Sequence, residues 1–346
     1  MRDVFVAGVG ATTFGRSGRS AGALERDALA AAIADAGLTA AQVGGVARAA
    51  GRGEGRAGRG LRALGPASVS AAQALQRGWH AVASGELDVV ICLGVQTLRT
   101  THDHAALVAV RARAAEAYMS RSGATAGHLA RVVAKNSAQG AENPRALLAR
   151  AHGAAEVLES ELLVDPLRRL MVAELSDGAA AVVLTASRRR RGPGPRPLRI
   201  RASVLARGPV GEVNGAVAEA GRMGYQAAGI GPDDVDCAEV DDATAAGELM
   251  SYEALQFAPE GQGPELVAAG FTMLGGVLPV NASGGMLALG EAVHASGVAQ
   301  ICELAWQLRR QAGRRQVAGA RVGLACSAGP ADDGAQVVSL TIVTAG

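Results

Sequence analysis

Short apolar runs rich in valine, isoleucine and leucine recur along the chain, each bounded by glycine or aspartate. Runs of this length and composition are typical of buried strands, and they predict strands at Val4–Val9, Val89–Leu93, Ala179–Thr185, Leu198–Leu205, Arg321–Ala325 and Gln336–Val343. Between them, apolar residues at helical spacing predict helices at Ala21–Ala36, Ala71–Ser84, Thr125–Ser137 and Gly297–Ala312. Strands that alternate with helices indicate an α/β protein with buried sheets.

One strand pattern occurs twice in the chain. Ser176–Thr185 matches Asp332–Thr341, with an Asp-Gly-Ala start and an apolar continuation in both, at a shift of 156 residues (332 − 176). The strand before each copy also repeats, but Val89–Leu93 and Val322–Ala325 are 233 residues apart (322 − 89). The difference between the two shifts predicts two copies of one α/β unit, with an insertion in the first copy from about residue 100 to 165.

A basic segment rich in glycine and proline, Arg188–Pro195, lies between the two predicted copies. Its composition is typical of a solvated connector. We therefore expect an N-terminal half over residues 1–191 and a C-terminal half over residues 198–346. A chain of 346 residues is long enough for such a duplicated unit to bury a sizeable core.

Composition and charge argue against several classes of protein. With 34 Lys and Arg against 32 Asp and Glu, and 3% aromatic residues, the chain lacks the basic, aromatic-interleaved surface of a nucleic-acid binder. Four scattered cysteines without a CxxC pair predict neither a disulfide framework nor a metal site. The longest uncharged stretch, Leu266–Gly290, contains Pro279, Asn281 and Ser283, so we expect a buried, loop-rich segment and no membrane span. We see no targeting segment and expect a cytoplasmic protein.

Several motifs together resemble one family. They are Asp165–Leu167 ahead of the Gly178–Thr185 strand, Tyr252–Leu255 followed by Pro259–Gly263, the run Val280–Gly285, and Ala299–Arg309. In this order and spacing the chain resembles the thiolase superfamily over nearly its whole length, and most of all the sterol-carrier-protein branch, also known as lipid-transfer or acetyl-CoA acetyltransferase proteins. The resemblance implies a duplicated five-layer α-β-α-β-α fold. It also implies coenzyme A (or carrier-protein) thioesters as substrates and no other cofactor.

The position that matches the family's nucleophilic cysteine is Ser68. A serine at a helix start is either a nucleophile, if a base activates it, or an ordinary N-cap, and Ser70 is a second candidate for the cap. Cys326 matches the second, proton-moving cysteine of degradative thiolases, and it is either that group or a packing residue.

Two carboxylates replace histidines of the family pattern. Glu291 stands where the activating histidine is expected, and Asp241 replaces the histidine of the His-Asp-Cys-Phe element. Two carboxylates in one pocket either divide acid and base roles or solvate a disused cleft. His294, three residues after Glu291, either turns into the pocket or packs in the core. The resemblance further implies that Asn281, Gly284 and Gly285 shape the substrate pocket.

These replacements leave three functional hypotheses. The first is a thiolase-like enzyme with altered acyl-transfer or carbon–carbon bond chemistry. The second is a catalytically degenerate subunit or acyl/lipid-binding scaffold that partners an active thiolase-like or zinc-ribbon protein, and we expect a homodimer or such a heteromer. The third is a retro-aldolase, although Tyr118, Tyr225 and Tyr252 do not fall at the replaced catalytic positions as the tyrosines of related aldolases do.

Overall fold

The computed structural model describes residues 1–51, 61–68, 70–98, 104–187, 195–209, 213–330 and 335–345. The strands are β1 Val4–Ala11, β2 Gly45–Ala49, β3 Val89–Gln96, β4 Leu162–Val164, β5 Leu167–Arg168, β6 Gly178–Thr185, β7 Leu198–Gly208, β8 Cys237–Glu239, β9 Val322–Pro330 and β10 Gln336–Thr344. The helices are α1 Ala21–Asp35, α2 Ala71–Ser84, α3 His104–Ser122, α4 Ala126–Ala141, α5 Ala154–Glu159, α6 Val213–Ala228, α7 Ala245–Ala254, α8 Gly263–Ala268, α9 Gly285–Leu289 and α10 Ser296–Leu308. Most of the predicted connector lies outside the described residues.

Eight strands form one sheet, and the strands of the two halves of the chain follow the same order when each half is counted from its own edge of the sheet. The order is β2-β3-β6-β1-β7-β10-β9-β8, so each strand of the first half has a counterpart in the second. β2 pairs with β3 and β8 with β9 in parallel, whereas the other pairs are antiparallel. The two matching segments noted in the sequence are β6 and β10, at equivalent places in this order, which supports the predicted duplication.

Helices cover the sheet in alternating layers. α1 packs on the outer face of the first four strands and α6 on the outer face of the last four. α2 and α10 contact strands of both halves, and their apolar residues share one core cluster with those strands. The arrangement is therefore helix, strands, helices, strands, helix, and the predicted five-layer fold is confirmed.

Two glycines of β1 allow α1 to pack closely on that strand. A Cβ atom on Gly8 of β1 would lie 2.3 Å from the Ala32 carbonyl oxygen of α1, and one on Gly10 would lie 2.6 Å from that of Ala28. Side chains at these positions would push the helix off the sheet. The high glycine and alanine content of the chain thus reflects tightly packed layers.

The inserted region, residues 104–168, supplies α3, α4 and α5 and the β4–β5 hairpin. α3 and α4 both pack against α7 of the second half. This contact brings the inserted region over the loop between β8 and α7. Across the described ranges, no helix is long and apolar enough to cross a membrane.

Candidate active site

A cavity of about 270 Å³ lies between α3 and the second half. One wall is a single face of α3, with residues at i, i+3, i+4 and i+7 spacing. The described lining residues are Leu107, Val110, Arg111, Ala114, Val213, Asp241, Ala243, Thr244, Gly247, Met250, Met286, Glu291, Val293, Ser296, Ser327, Ala328, Gly329 and Gln336. A largely apolar lining with a few charged groups is typical of a small-molecule site.

Asp241 lies in the loop between β8 and α7. Its Oδ1 accepts a hydrogen bond from the Ala243 amide at 3.2 Å, and its Oδ2 accepts one from the Ala328 amide at 3.3 Å. Burial raises the pKa of Asp241 above its ordinary value, the charge of Arg111 opposes that shift, and the charge of Glu291 adds to it. A carboxyl group in this position is suited to accept and return a proton.

Glu291 faces Arg111 of α3 in a two-point ion pair. Arg111 donates to the two carboxylate oxygens of Glu291 at 2.6 and 2.8 Å, and the Glu291 backbone amide donates to the Glu174 carbonyl at 2.7 Å. Burial disfavours the charged form of Arg111, but the charge and hydrogen bonds of Glu291 outweigh burial and raise its pKa. The pair ties the inserted region to the segment after α9. Asp241, Glu291 and Arg111 therefore form one charge cluster inside the cavity.

Ser68 is buried in the segment before α2. The backbone of Ser68 forms an isolated parallel bridge with that of Ala49. The Ser68 hydroxyl lies 3.2 Å from the Arg48 carbonyl oxygen and 3.1 Å from the Ser70 carbonyl oxygen. The N-cap of α2 is Ser70, whose hydroxyl accepts from the Gln73 amide at 3.3 Å. Ser68 is not among the described residues that line the cavity, and its one hydroxyl hydrogen has backbone carbonyls as acceptors.

Cys326 lies in β9 opposite Leu340 and packs in the same apolar cluster as Tyr225. Only 1% of its surface is exposed, and burial raises the pKa of its thiol. The next three residues, Ser327, Ala328 and Gly329, line the cavity. Cys326 thus occupies the packing position that the sequence left as its second alternative.

His294 is also buried, and its carbonyl oxygen would lie 2.1 Å from a Cβ atom on Gly94. It is not among the described lining residues, whereas its neighbour Val293 is. The backbone at His294 therefore packs closely against β3.

Asn281, Gly284 and Gly285 shape the backbone beneath the cavity. Asn281 has φ of 54° and is fully buried; its Oδ1 accepts from the Val240 amide at 2.8 Å, and its Nδ2 donates to Glu248 at 2.7 Å. Gly284 and Gly285 have φ of 98° and 62°, in the left-handed region that favours glycine. These three residues build the turn into α9 and do not themselves line the 270 Å³ cavity.

The sequence pattern did not single out five charged or polar residues of the cavity and of this turn. They are Arg111 on α3, Lys135 and Asn136 on α4, Asp242 beside Asp241, and Glu248 on α7. One signal was available, because Lys135 is the single lysine of the chain. It pairs with Glu248 at 2.8 Å, and both side chains are at most 5% exposed.

A second, smaller cavity of about 30 Å³ shares Met286 and Ser296 with the first. Glu239 and Glu303 line it. Burial and the charge of Glu303 raise the pKa of Glu239 to about 8, although Glu239 accepts a hydrogen bond from the Ser283 amide at 3.0 Å. A volume of about 30 Å³ can accommodate a water molecule but not a thioester, so we place the proposed chemistry in the 270 Å³ cavity.

Comparisons with known proteins agree with the resemblance seen in the sequence. Residues 211–340 match the family model described as thiolase C-terminal domain-like. Acetyl-CoA acetyltransferase of Methanothermobacter thermautotrophicus is 33% identical over 282 residues, which cover 75% of this chain and 74% of that protein. Sterol carrier protein 2 of Bos taurus is 35% identical over 66% of this chain, but the match spans only 44% of that protein.

Among solved structures, that of the Ltp2-ChsH2(DUF35) aldolase is similar throughout. It superimposes with a TM-score of 0.85 and 26% sequence identity, and it covers 99% of this chain and 98% of the matched chain. The similarity therefore extends over both halves and the inserted region.

Proposed function

This chain belongs to the thiolase superfamily, and from that premise we propose that it acts on an acyl thioester of coenzyme A or a carrier protein. The reaction we propose is cleavage or formation of a carbon–carbon bond by acid–base chemistry, without a covalent acyl-enzyme. The cavity lined by Asp241, Glu291 and Arg111 is the proposed site.

One observation carries this proposal: a carboxyl group faces the cavity, whereas neither candidate nucleophile is among its described lining residues. Asp241 is held by two backbone amides and lines the cavity, whereas Ser68 and Cys326 are each 1% exposed and are absent from its described lining. Covalent acyl transfer needs an activated hydroxyl or thiol at the thioester carbonyl. Proton transfer by a carboxylate needs only reach to the substrate hydroxyl.

Asp241 alone can make both proton transfers that a retro-aldol cleavage requires. The Asp241 carboxylate takes the proton of the β-hydroxyl group of a β-hydroxyacyl thioester. The Cα–Cβ bond then breaks, and the β-carbon becomes the carbonyl carbon of a ketone or aldehyde. The electron pair moves to the thioester as an enolate. Asp241 then returns its proton to Cα, giving the shortened acyl thioester. The reverse sequence of steps forms the bond.

Arg111 supplies positive charge for the enolate oxygen in this scheme. It is the only cation among the described lining residues, and Glu291 holds its guanidinium in place. Positive charge fixed where negative charge develops stabilises a transition state. No tyrosine replaces it, because none of the three tyrosines is a described lining residue. The similarity to a structure named as an aldolase also supports this direction.

A second candidate function is a non-catalytic subunit or acyl-binding scaffold. The Arg111–Glu291 pair neutralises two of the three charged groups in the cavity, which favours binding over chemistry. The similar aldolase structure is named for two proteins together, so a heteromer with a zinc-ribbon or thiolase-like partner is a reasonable proposal beside a homodimer.

Turnover of β-hydroxyacyl-CoA substrates tests the proposal. We expect the wild-type protein, alone or with its partner, to release a shorter acyl-CoA together with a ketone or aldehyde, and Asp241→Asn to lose at least about 100-fold in kcat because it removes the general base. Asp236→Asn is the matched control, since Asp236 accepts from two backbone amides but is not a described lining residue. Equal turnover by wild type and Asp241→Asn would refute the proposal, and acyl-CoA binding without turnover would favour the scaffold.

A further inference from the structure

We propose that Asp242 is a positioning residue that fixes the Asp241 loop and the Glu291 segment relative to each other. This inference rests on the proposed function, because it assigns a role toward the same site. Asp242 does not line the cavity, but it is the residue next to Asp241 and contacts the helix that leads to Glu291.

Asp242 joins two segments through its carboxylate. Its Oδ1 accepts from the Met286 amide at 2.6 Å, and its Oδ2 accepts from the Leu287 amide at 3.2 Å. Both amides belong to α9, a helix of five residues that leads directly into Gly290 and Glu291. One carboxylate thus connects the loop after β8, which carries Asp241, to the element that carries Glu291.

The contact is too close to allow a side chain between the two segments. A Cβ atom on Gly285 would lie 2.0 Å from Oδ2 of Asp242, and Gly285 has φ of 62°. Glycine at this position lets the helix start reach the carboxylate. The approach leaves the two segments little freedom to shift independently.

A second, buried layer holds Asp242 itself. Asn136 of α4 donates from Nδ2 to Asp242 at 2.8 Å and to Glu248 at 2.6 Å. Glu248 is in turn paired with Lys135 at 2.8 Å, and the side chains of Asp242 and Glu248 have no exposed surface. Breaking a fully buried polar network of this kind leaves unsatisfied groups, so its geometry is strongly fixed.

This fixed geometry matters because the two cavity carboxylates come from segments far apart in sequence. A misplacement of about 1 Å at a reacting group costs on the order of 100-fold in rate. Asp242 is the side chain through which α4, α9 and the Asp241 loop meet. Its proposed contribution is to turnover rather than to substrate binding, since it has no contact with the cavity.

The test uses Asp242→Asn and Asn136→Leu in the full chain, with Asp236→Asn as control. Asp242→Asn turns one acceptor oxygen into a donor that faces other donors, and Asn136→Leu removes the support while keeping the Asp242 carboxylate. We expect kcat to fall between about tenfold and about 100-fold in both, with KM changed less than about threefold. The control keeps the wild-type kcat, although it too loses a capping carboxylate.

A second readout does not depend on turnover. In protein labelled with ¹³C at the aspartate carboxyls, the Asp241 signal is identified by its loss in Asp241→Asn. Its titration is followed in the presence of its charged neighbours Arg111, Glu291 and Asp242. We expect the titration midpoint to fall in both variants, because a released loop admits water to a carboxyl whose pKa burial had raised. The control leaves the midpoint unchanged.

These experiments distinguish a failure of the proposed function from a failure of the role proposed for Asp242. Absence of wild-type turnover contradicts the proposed function, and the Asp241 titration then still decides the role of Asp242. Asp242 is not a positioning residue if both variants keep the midpoint and kcat of the control. The same conclusion follows if the midpoint falls only in Asp242→Asn, since loss of charge alone then explains it.

Discussion

Replacing Arg111 with methionine removes the cation from the charge cluster of the cavity and so tests its contribution. Methionine keeps the length and apolar stem of the side chain but leaves the Glu291 carboxylate without its cation. Arg111 donates two hydrogen bonds to Glu291, and the two side chains are 23% and 6% exposed. The pair is therefore mostly removed from water and is weakly screened by salt.

The cost of this substitution follows from the geometry. Charge centres about 4 Å apart attract by about 4 kcal/mol at an effective dielectric constant of about 20, and removing one partner of a buried pair costs about 3–5 kcal/mol. Because Arg111 keeps some contact with water, we expect the lower end, about 3 kcal/mol of unfolding free energy. In the cycle with Glu291→Gln, the double variant should lose at least about 2 kcal/mol less than the sum of the single variants.

The same substitution predicts a shift in the pH–rate profile. Asp241 works as a base in its ionised form, so activity falls as pH drops through its pKa. The charge of Arg111 lowers that pKa, and its removal therefore raises it. The acid limb of kcat/KM should move to higher pH in Arg111→Met.

Urea unfolding followed by circular dichroism measures the stability, and Arg113→Met is the matched control. Arg113 is exposed on the same helix and is not a described lining residue. A loss below about 1 kcal/mol in Arg111→Met, or additive effects of the single variants, would show that the Arg111–Glu291 pair contributes little to stability. An acid limb that stays in place would separate Arg111 from Asp241.

Two further predictions concern buried groups outside the cavity. The folded state raises the pKa of Glu239 from an ordinary 4.5 to about 8, so the native protein binds more protons than the unfolded chain between these values and loses stability as pH rises through that window. Glu239→Gln should flatten this loss, by up to about 1.4 kcal/mol per pH unit, in urea unfolding at pH 5 to 8; an unchanged slope would contradict it. All four cysteines are buried, and burial raises the pKa of Cys92 and Cys302 to about 12, so iodoacetamide at pH 8 should label the protein only in denaturant. Rapid labelling of native Cys326 would show a reactive thiol that the fold does not explain.

The strands and the duplication could be predicted because their signals are local and repeated. The apolar runs at Val4–Val9 and Gln336–Val343 correspond to β1 and β10, and the match of Ser176–Thr185 to Asp332–Thr341 corresponds to equivalent strands of the sheet. Short β2 and β8 were missed, since five and three residues give too little periodicity to stand out.

The site was harder to predict because it depends on orientation and on distant contacts. Asp241 and Asp242 are identical neighbours, yet one lines the cavity and the other caps α9. Cys326 packs in the core, whereas the next three residues, Ser327, Ala328 and Gly329, line the cavity, and the sequence pattern does not show where along β9 this change occurs. The Arg111–Glu291 pair joins residues 180 positions apart, and Arg111 lies on α3, a helix of the inserted region that the sequence pattern did not predict.

In the proposed function, this site acts on an acyl thioester by proton transfer and not by covalent capture. Intact-protein mass spectrometry, on samples quenched with acid during turnover of a β-hydroxyacyl-CoA, tests it most directly. We expect shorter acyl-CoA to accumulate while the protein mass remains that of the unmodified chain. An acyl adduct that forms and decays at the rate of turnover, mapped to Ser68 or Cys326, would contradict it.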